Sequence, residues 1–365
     1  MSKPIESYAL IGDGESAALV GRDGSIDWLC WPRFDDEACL CAILGTEEHG
    51  HWLLAPEAAA IETVRRYRGE SLILETDIRT GDGVVRITDF MPVRDGSPAL
   101  VRIIQGLAGT VRINHELRLR FGYGQVPPWC EPREDGMAAV VGPDRVRFRS
   151  SVPIRIENAR ALATFDLREG DRHTFVLSHG TSTSGDPAGF ETDAALSATQ
   201  QRWESWIARF DSSRTLCPTA VKRSLLTLKA LVHQRTGGLV AAPTTSLPEA
   251  PAGGMNWDYR FCWLRDATFT LSAFLNAGFE GEARAWRDWL LRAVAGAPDK
   301  MRIMYRVDGA RHLEEWTVDA LPGYRGARPV RAGNAASSQH QIDVYGEVLD
   351  CLDLARQVGI EVTDH

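Results

Sequence analysis

Along the first half of the chain, apolar and polar residues alternate in short runs interrupted by turn clusters. Tyr8–Ile11, Ala17–Val20 and Ser25–Leu29 read as strands, separated by Gly12-Asp13-Gly14 and by Gly21-Arg22-Asp23-Gly24. From about 50 to 180 the same rhythm recurs at His51–Leu54, Leu72–Ile78, Val84–Phe90, Leu100–Gln105, Val111–Phe121, Val146–Arg149 and His173–Leu177. No run of helical spacing intervenes. Strands this numerous and this closely spaced predict an antiparallel β-sandwich, an all-β domain over residues 1–190. In Val111–Arg120 one face is mostly apolar and the other charged, which predicts that Arg112, Arg118 and Arg120 stand on a solvated sheet face.

The pattern then changes period. Thr181 to Pro187 is rich in turn formers, and Glu191–Phe210 carries Leu196, Trp203, Trp206, Ile207 and Phe210 on one side, predicting a linker helix within 191–216. Residues 217–365 are helical in spacing, with helices predicted over Pro218–Gln234, Trp263–Ala277, Glu280–Ala295 and Ser338–Val358. A small hairpin is predicted from Met301–Val307 and Arg311–Glu314 around Asp308-Gly309. The connections 237–262 and 321–337 are long and rich in Gly and Pro, and loops of that length inside a compact domain usually serve a function.

Composition narrows the function classes. A chain of 365 residues suits two domains, each with its own core. The net charge of −8 argues against nucleic acid and anionic membranes as partners. The start of the chain lacks the apolar stretch of a signal peptide, and no apolar run is long enough to span a bilayer, so no membrane association is expected. Seven scattered cysteines without a Cys-x-x-Cys pair predict reduced thiols, no metal site, no cofactor and a cytoplasmic setting. Gly12-x-Gly14 lacks the third glycine and the following helix of a nucleotide-binding loop. Eleven tryptophans are the outlier, and they suit either carbohydrate recognition or the core of a large sandwich.

The chemistry concentrates in Asn256–Asp266, where eleven residues hold four aromatics, two arginines and two aspartates. The apolar positions Ala267, Leu271, Phe274 and Leu275 continue it as an amphipathic helix ending at Gly278, which places Asp266 in the first helical turn. Two arrangements satisfy such a composition. One is a sugar pocket, in which aromatic faces stack on C–H surfaces while charged groups bond hydroxyls. The other is a buried Arg–Asp pair beneath an aromatic core.

Three stretches taken together resemble bacterial members of glycoside hydrolase family 15, the glucoamylase and trehalase family, over essentially the whole chain. They are Ile5–Asp13 with Ala17–Cys30 and Pro32–Asp35; Asn256–Ala267; and Gly323–Arg331 with Gly333-Asn334 and Gln341–Asp350. Gly14-Glu15-Ser16 departs from the small cysteine-containing turn common in the family. The resemblance implies a β-sandwich followed by the opening helices of an incomplete (α/α)6 toroid. It also implies that Arg265 and Asp266 grip the hydroxyls of a non-reducing glucose. Tyr324, Arg328, Arg331 and Asn334 follow as pocket candidates from the second loop, with Trp257, Asp258 and Tyr259 shaping the wall.

Members of the family are inverting enzymes, in which one carboxylic acid protonates the glycosidic oxygen and a second carboxylate activates water. The resemblance places both glutamates beyond His365, so no catalytic residue is assigned within the chain. Glu314, Glu315, Asp319, Asp343 and Glu347 fall instead on framework or pocket-wall positions. The expected activity is hydrolysis of an α-glucoside, either α,α-trehalose, maltose or a maltooligosaccharide. The alternatives are a catalytically incomplete glucose-binding chain and, from another reaction class, a glycoside phosphorylase. Helices without their toroid neighbours would expose apolar faces, for which a second copy or a complementing C-terminal portion would be the partner.

Overall fold

The computed structural model describes residues 2–94, 96–250, 253–295 and 298–360. The chain divides into two compact units, one of Met1–Glu204 with Ala320–Gly326, the other of Ser205–Asp319 with Ala327–His365. The expected domain end at His365 lies outside the described residues.

The first unit is an antiparallel β-sandwich built around one strand. Ala99–Arg118 runs for 20 residues and changes partners halfway along. Its first half pairs with Gly83–Phe90 and Arg172–Thr181, its second half with His51–Pro56 and Arg160–Arg168. Two sheets therefore share one strand and close over a common core that includes Trp52, Ile87, Leu100, Ile113, Phe148 and Phe175. Ile113 lies in the half of the shared strand where burial alternates, whereas Leu100 lies in the half that is buried on both faces.

The core packs a histidine among its apolar side chains. His115 lies on the apolar face of the shared strand, stacked on Phe148 and Phe175 with ring centroids 5.3 and 4.8 Å away. The Trp52 Nε1–H donates to its Nε2 at 2.8 Å. Burial, and then the Arg102 charge, push the imidazole down to about 3. On the opposite face Arg112 is exposed beside Asp166, as a solvated face requires. Arg118 differs: its side chain is buried beneath Glu116 and Glu48, because charged neighbours two positions and a loop away fold over it.

The second unit is helical. Helix α1 (Thr192–Ile207) spans the boundary, followed by α2 (Pro218–Ala230), α3 (Leu264–Asn276), α4 (Glu280–Val294) and α5 (Asp343–Gln357). These five are the helices longer than four residues among the described residues, and they form only the opening part of a toroid. Helix α3 packs against α2, α4 and α5, burying Ala267, Leu271 and Phe274. Trp206 stacks on Phe279 at 4.3 Å and donates its Nε1–H to Glu282 at 2.6 Å. The predicted fourth helix begins later than Ser338, because Ala335–Ser338 forms a separate 3-10 turn capped by Asn334. The hairpin around Asp308-Gly309 is reduced to its turn, closed by the Arg306 N–H bond to the Ala310 carbonyl at 2.9 Å. The Gly309 N–H also donates to the Arg306 carbonyl, but Met304–Tyr305 pairs with the distant Cys262–Trp263.

Candidate functional site

The site is assembled at the N-terminus of α3 and in the two long connections. Pairing of Cys262–Trp263 with Met304–Tyr305, and the Leu264 N–H bond to the Ile303 carbonyl at 3.0 Å, fix where α3 starts. The connection before it folds back on itself. Ala241 N–H donates to Phe261 O, Ala242 N–H to Tyr259 O and Ser246 N–H to Trp257 O, at 3.1, 2.9 and 2.9 Å. The second connection is tied to the first through Arg331, whose N–H donates to Ser246 Oγ at 2.7 Å while its carbonyl accepts from Thr245 Oγ1 at 2.6 Å.

Asp258 and Arg260 form the buried core of this arrangement. Asp258 accepts from Arg260 Nε at 2.9 Å and Nη2 at 2.6 Å, and its Oδ2 also accepts from the Gly333 N–H at 3.1 Å. Asn334 closes the circuit, donating Nδ2–H to the Asp258 carbonyl at 3.0 Å and accepting from the Ala336 N–H at 3.0 Å. Gly333 has φ +78°, and a Cβ there would collide with the Glu314 carbonyl.

Above this brace lies a cavity of about 540 Å³. That volume falls in the range of small-molecule sites, roughly 300–1,000 Å³. Trp257, Tyr259 and Trp263 supply aromatic faces, and Glu249, Glu315, Arg265 and Arg331 supply charge of both signs. Asn334 and Gln339 contribute polar edges. The Arg331 guanidinium lies 4.3 Å over the Trp257 ring, 3.2 Å from Glu315, and donates to the carbonyls of Gly254 and Asn256 at 3.2 and 3.1 Å. Glu315 also accepts from the Ala335 N–H at 3.1 Å, so both its oxygens are engaged. Tyr259 donates its hydroxyl to Glu249 Oε1 at 2.9 Å. Partial burial, that hydrogen bond, and the charges of Glu249 and Asp266 push the Tyr259 phenol up to about 12.

Five of the nine sequence-derived candidates line this cavity: Arg265, Trp257, Tyr259, Arg331 and Asn334. Arg265 is open to solvent, its guanidinium 5.8 Å from the Trp263 ring. Asp266 lies 3.8 Å from Arg265, and its Oδ2 is shielded from solvent without accepting a hydrogen bond. Three candidates are placed elsewhere. Asp258 is sealed against Arg260; Tyr324 belongs to the first unit and donates its hydroxyl to the Lys3 carbonyl at 3.0 Å; Arg328 is exposed and lines no part of the cavity. Glu249 and Gln339 line the cavity without having been singled out beforehand. The only sign of Glu249 was its place in an unusually long Gly/Pro-rich connection.

Comparison with known proteins separates fold from family. The trehalase-like N-terminal model matches residues 1–203, more than half of the chain, and the model of glycosyl hydrolases family 15 matches residues 218–365. The chain belongs to glycoside hydrolase family 15. Within that family it is similar to a trehalase of Mycolicibacterium smegmatis, with 33% identity over 99% of this chain. A trehalase of Thermoplasma volcanium is 30% identical over 97% of this chain. The chain spans 58% of the length of each of these relatives. A bacterial glucoamylase solved in complex with acarbose superposes with a TM-score of 0.60 over 85% of this chain and 53% of that one. At 14% identity that likeness concerns the fold, a family 15 sandwich followed by toroid helices.

Proposed function

We propose that this chain grips the non-reducing glucosyl unit of an α-glucoside, with α,α-trehalose as the first substrate, and that the whole protein is an inverting hydrolase releasing glucose. The observation that carries the reading is the cavity lining: three aromatic faces alternate with two arginines and two glutamates. Apolar C–H faces of a pyranose stack on such rings, while its hydroxyls need both donors and acceptors. Arg265 supplies donors from the cavity wall, whereas its neighbour Asp266 on the same turn of α3 does not line the cavity and keeps Oδ2 shielded. Trehalose ranks ahead of maltooligosaccharides because the similar relatives over nearly the full chain are trehalases.

The chemical step needs a protonated acid and a separate base about 6.5–9.5 Å apart. Glu315 sets one oxygen against the Arg331 guanidinium and accepts the Ala335 N–H with the other, so it braces Arg331 and the Ala335 turn rather than delivering a proton. This favours a second reading in which the chain by itself binds glucosides without cutting them. A reducing, cytoplasmic setting belongs to the same proposal. It is supported by the cysteines, which form no disulfide among the described residues.

One experiment addresses both readings. Trehalose and maltose are titrated into the pure chain by tryptophan fluorescence and followed by anomeric proton NMR without added phosphate. Binding that Arg265→Ala removes supports the grip, since Arg265 is exposed and its loss leaves folding intact. Release of β-glucose assigns hydrolysis to this chain; binding without release assigns it the gripping role alone. No binding of either sugar by folded protein sinks the proposal.

A further inference from the structure

The cavity carboxylate that nothing yet accounts for is Glu249. It lies in the excursion between Ser246 and Trp257, whose two sides are tied by Ser246 N–H to Trp257 O at 2.9 Å and Glu249 N–H to Met255 O at 3.3 Å. The backbone of Glu249 is thus held, although its side chain is solvent-facing on the cavity wall. Glu249 Oε1 accepts the Tyr259 hydroxyl at 2.9 Å. Among the described residues its other oxygen accepts no hydrogen bond, whereas Glu315 has one oxygen against Arg331 and the other on the Ala335 N–H. Tyr259 is itself placed by the Ala242 N–H bond to its carbonyl and by its ring contact with Trp263, centroids 6.5 Å apart.

This gives the cavity a division of labour. Arg265 can only donate, whereas Glu249, with the Tyr259 hydroxyl already turned towards it, can only accept. A ring of hydroxyls needs partners of both kinds, and an anionic acceptor forms the stronger bond to a hydroxyl proton. We propose that Glu249, oriented by Tyr259, is a positioning residue that accepts one specific hydroxyl of the bound glucosyl unit and so sets which sugars the cavity admits. The inference rests on the reading of this cavity as a glucosyl site.

Fluorine tests it directly, because it replaces a hydroxyl in size but cannot donate a proton. The probes are methyl α-glucopyranoside and its 2-, 3-, 4- and 6-deoxyfluoro derivatives, titrated into the 365-residue chain. Loss of a hydrogen bond to a charged group predicts that one derivative binds on the order of 10-fold more weakly than the parent. In Glu249→Ala that position ceases to discriminate: parent and derivative bind alike, while the ratios at the other positions are unchanged. Tyr259→Phe weakens the same discrimination partially, and the double variant adds nothing to Glu249→Ala. A merely structural Glu249 would shift all five affinities together. Parent binding that Arg265→Ala abolishes, but with fluorine discrimination intact in Glu249→Ala, overturns the inference and leaves the glucosyl reading standing. Absence of parent and trehalose binding by the wild-type chain overturns both.

Discussion

Arg265 is open to solvent on the cavity wall, whereas Asp258, a few residues earlier, is sealed against Arg260. The same charged chemistry therefore divides into a cavity-facing part and an internal brace. Removing one partner of a buried ion pair leaves the other uncompensated, at a cost of about 3–5 kcal/mol. Asp258→Ala is accordingly expected to lower the unfolding free energy by that order in urea denaturation, while releasing Gly333 and Asn334 from their anchor. His115 gives a second residue-scale expectation. Its folded imidazole titrates only at about 3, while in the unfolded chain it takes up a proton near the ordinary 6.5. Stability from this group is present in full above 6.5 and is lost as pH falls from there towards 3, because the unfolded state binds the extra proton. Thermal melts across that window should show a falling midpoint in the wild type and a shallower fall in His115→Gln.

Among the elements, the connection that carries Gly333 is the most demanding. Its left-handed backbone and its contact with the Glu314 carbonyl leave no room for a side chain. Gly333→Ala should cost at least about 1 kcal/mol of stability. It should also weaken glucoside binding, measurable by titration on the folded variant, because Glu315 and Asn334 are displaced together. How legible each element was follows from its physics. Helix α3 announced itself because Ala267, Leu271, Phe274 and Leu275 repeat at the spacing of its buried stripe. Pairing of Cys262–Trp263 with Met304–Tyr305 did not, since two-residue strands have no period and their partner lies far along the chain. In the site, Arg265 and Arg331 were readable from their motifs. The inward turn of Asp258 was readable only as one of two arrangements: the composition allowed a buried Arg–Asp pair, but not which aspartate would form it. Glu249 was hidden for a different reason, as it reaches the cavity through a loop closed by bonds to Met255, Tyr259 and, via Ser246, Trp257, which no local pattern announces.

At the scale of the whole molecule, both units leave large apolar side chains in solvent, Ile61 and Trp129 of the sandwich being 70% and 67% exposed. The sandwich buries most of its apolar strand residues in one large core and a few, Ile73, Phe90, Val101, Ile103 and Val176, in a second cluster. The helical unit leaves Phe269 on α3, Leu349 on α5 and Ile342 just before it 67%, 66% and 78% exposed. Large exposed apolar side chains favour association. Light scattering of the purified chain should therefore show a mass rising with concentration. Phe269→Ser combined with Leu349→Gln should reduce that rise without lowering the melting temperature, since neither side chain contributes to the core.

The strand Ala99–Arg118 has a consequence for how the protein comes into being. Its neighbours are drawn from His51 to Thr181, so its pairing cannot be completed until the last of them has left the ribosome. A nascent chain that has emerged only as far as the shared strand can pair it with the two segments already made, His51–Pro56 and Gly83–Phe90, and leaves its other edge unsatisfied along its whole length. Unpaired edges of this kind template aggregation, and pairings distant in sequence form slowly. Synthesis of the turn-rich stretch before α1 is thus the moment at which the sandwich can first close, and the helical unit that holds the cavity is made only after that closure is possible.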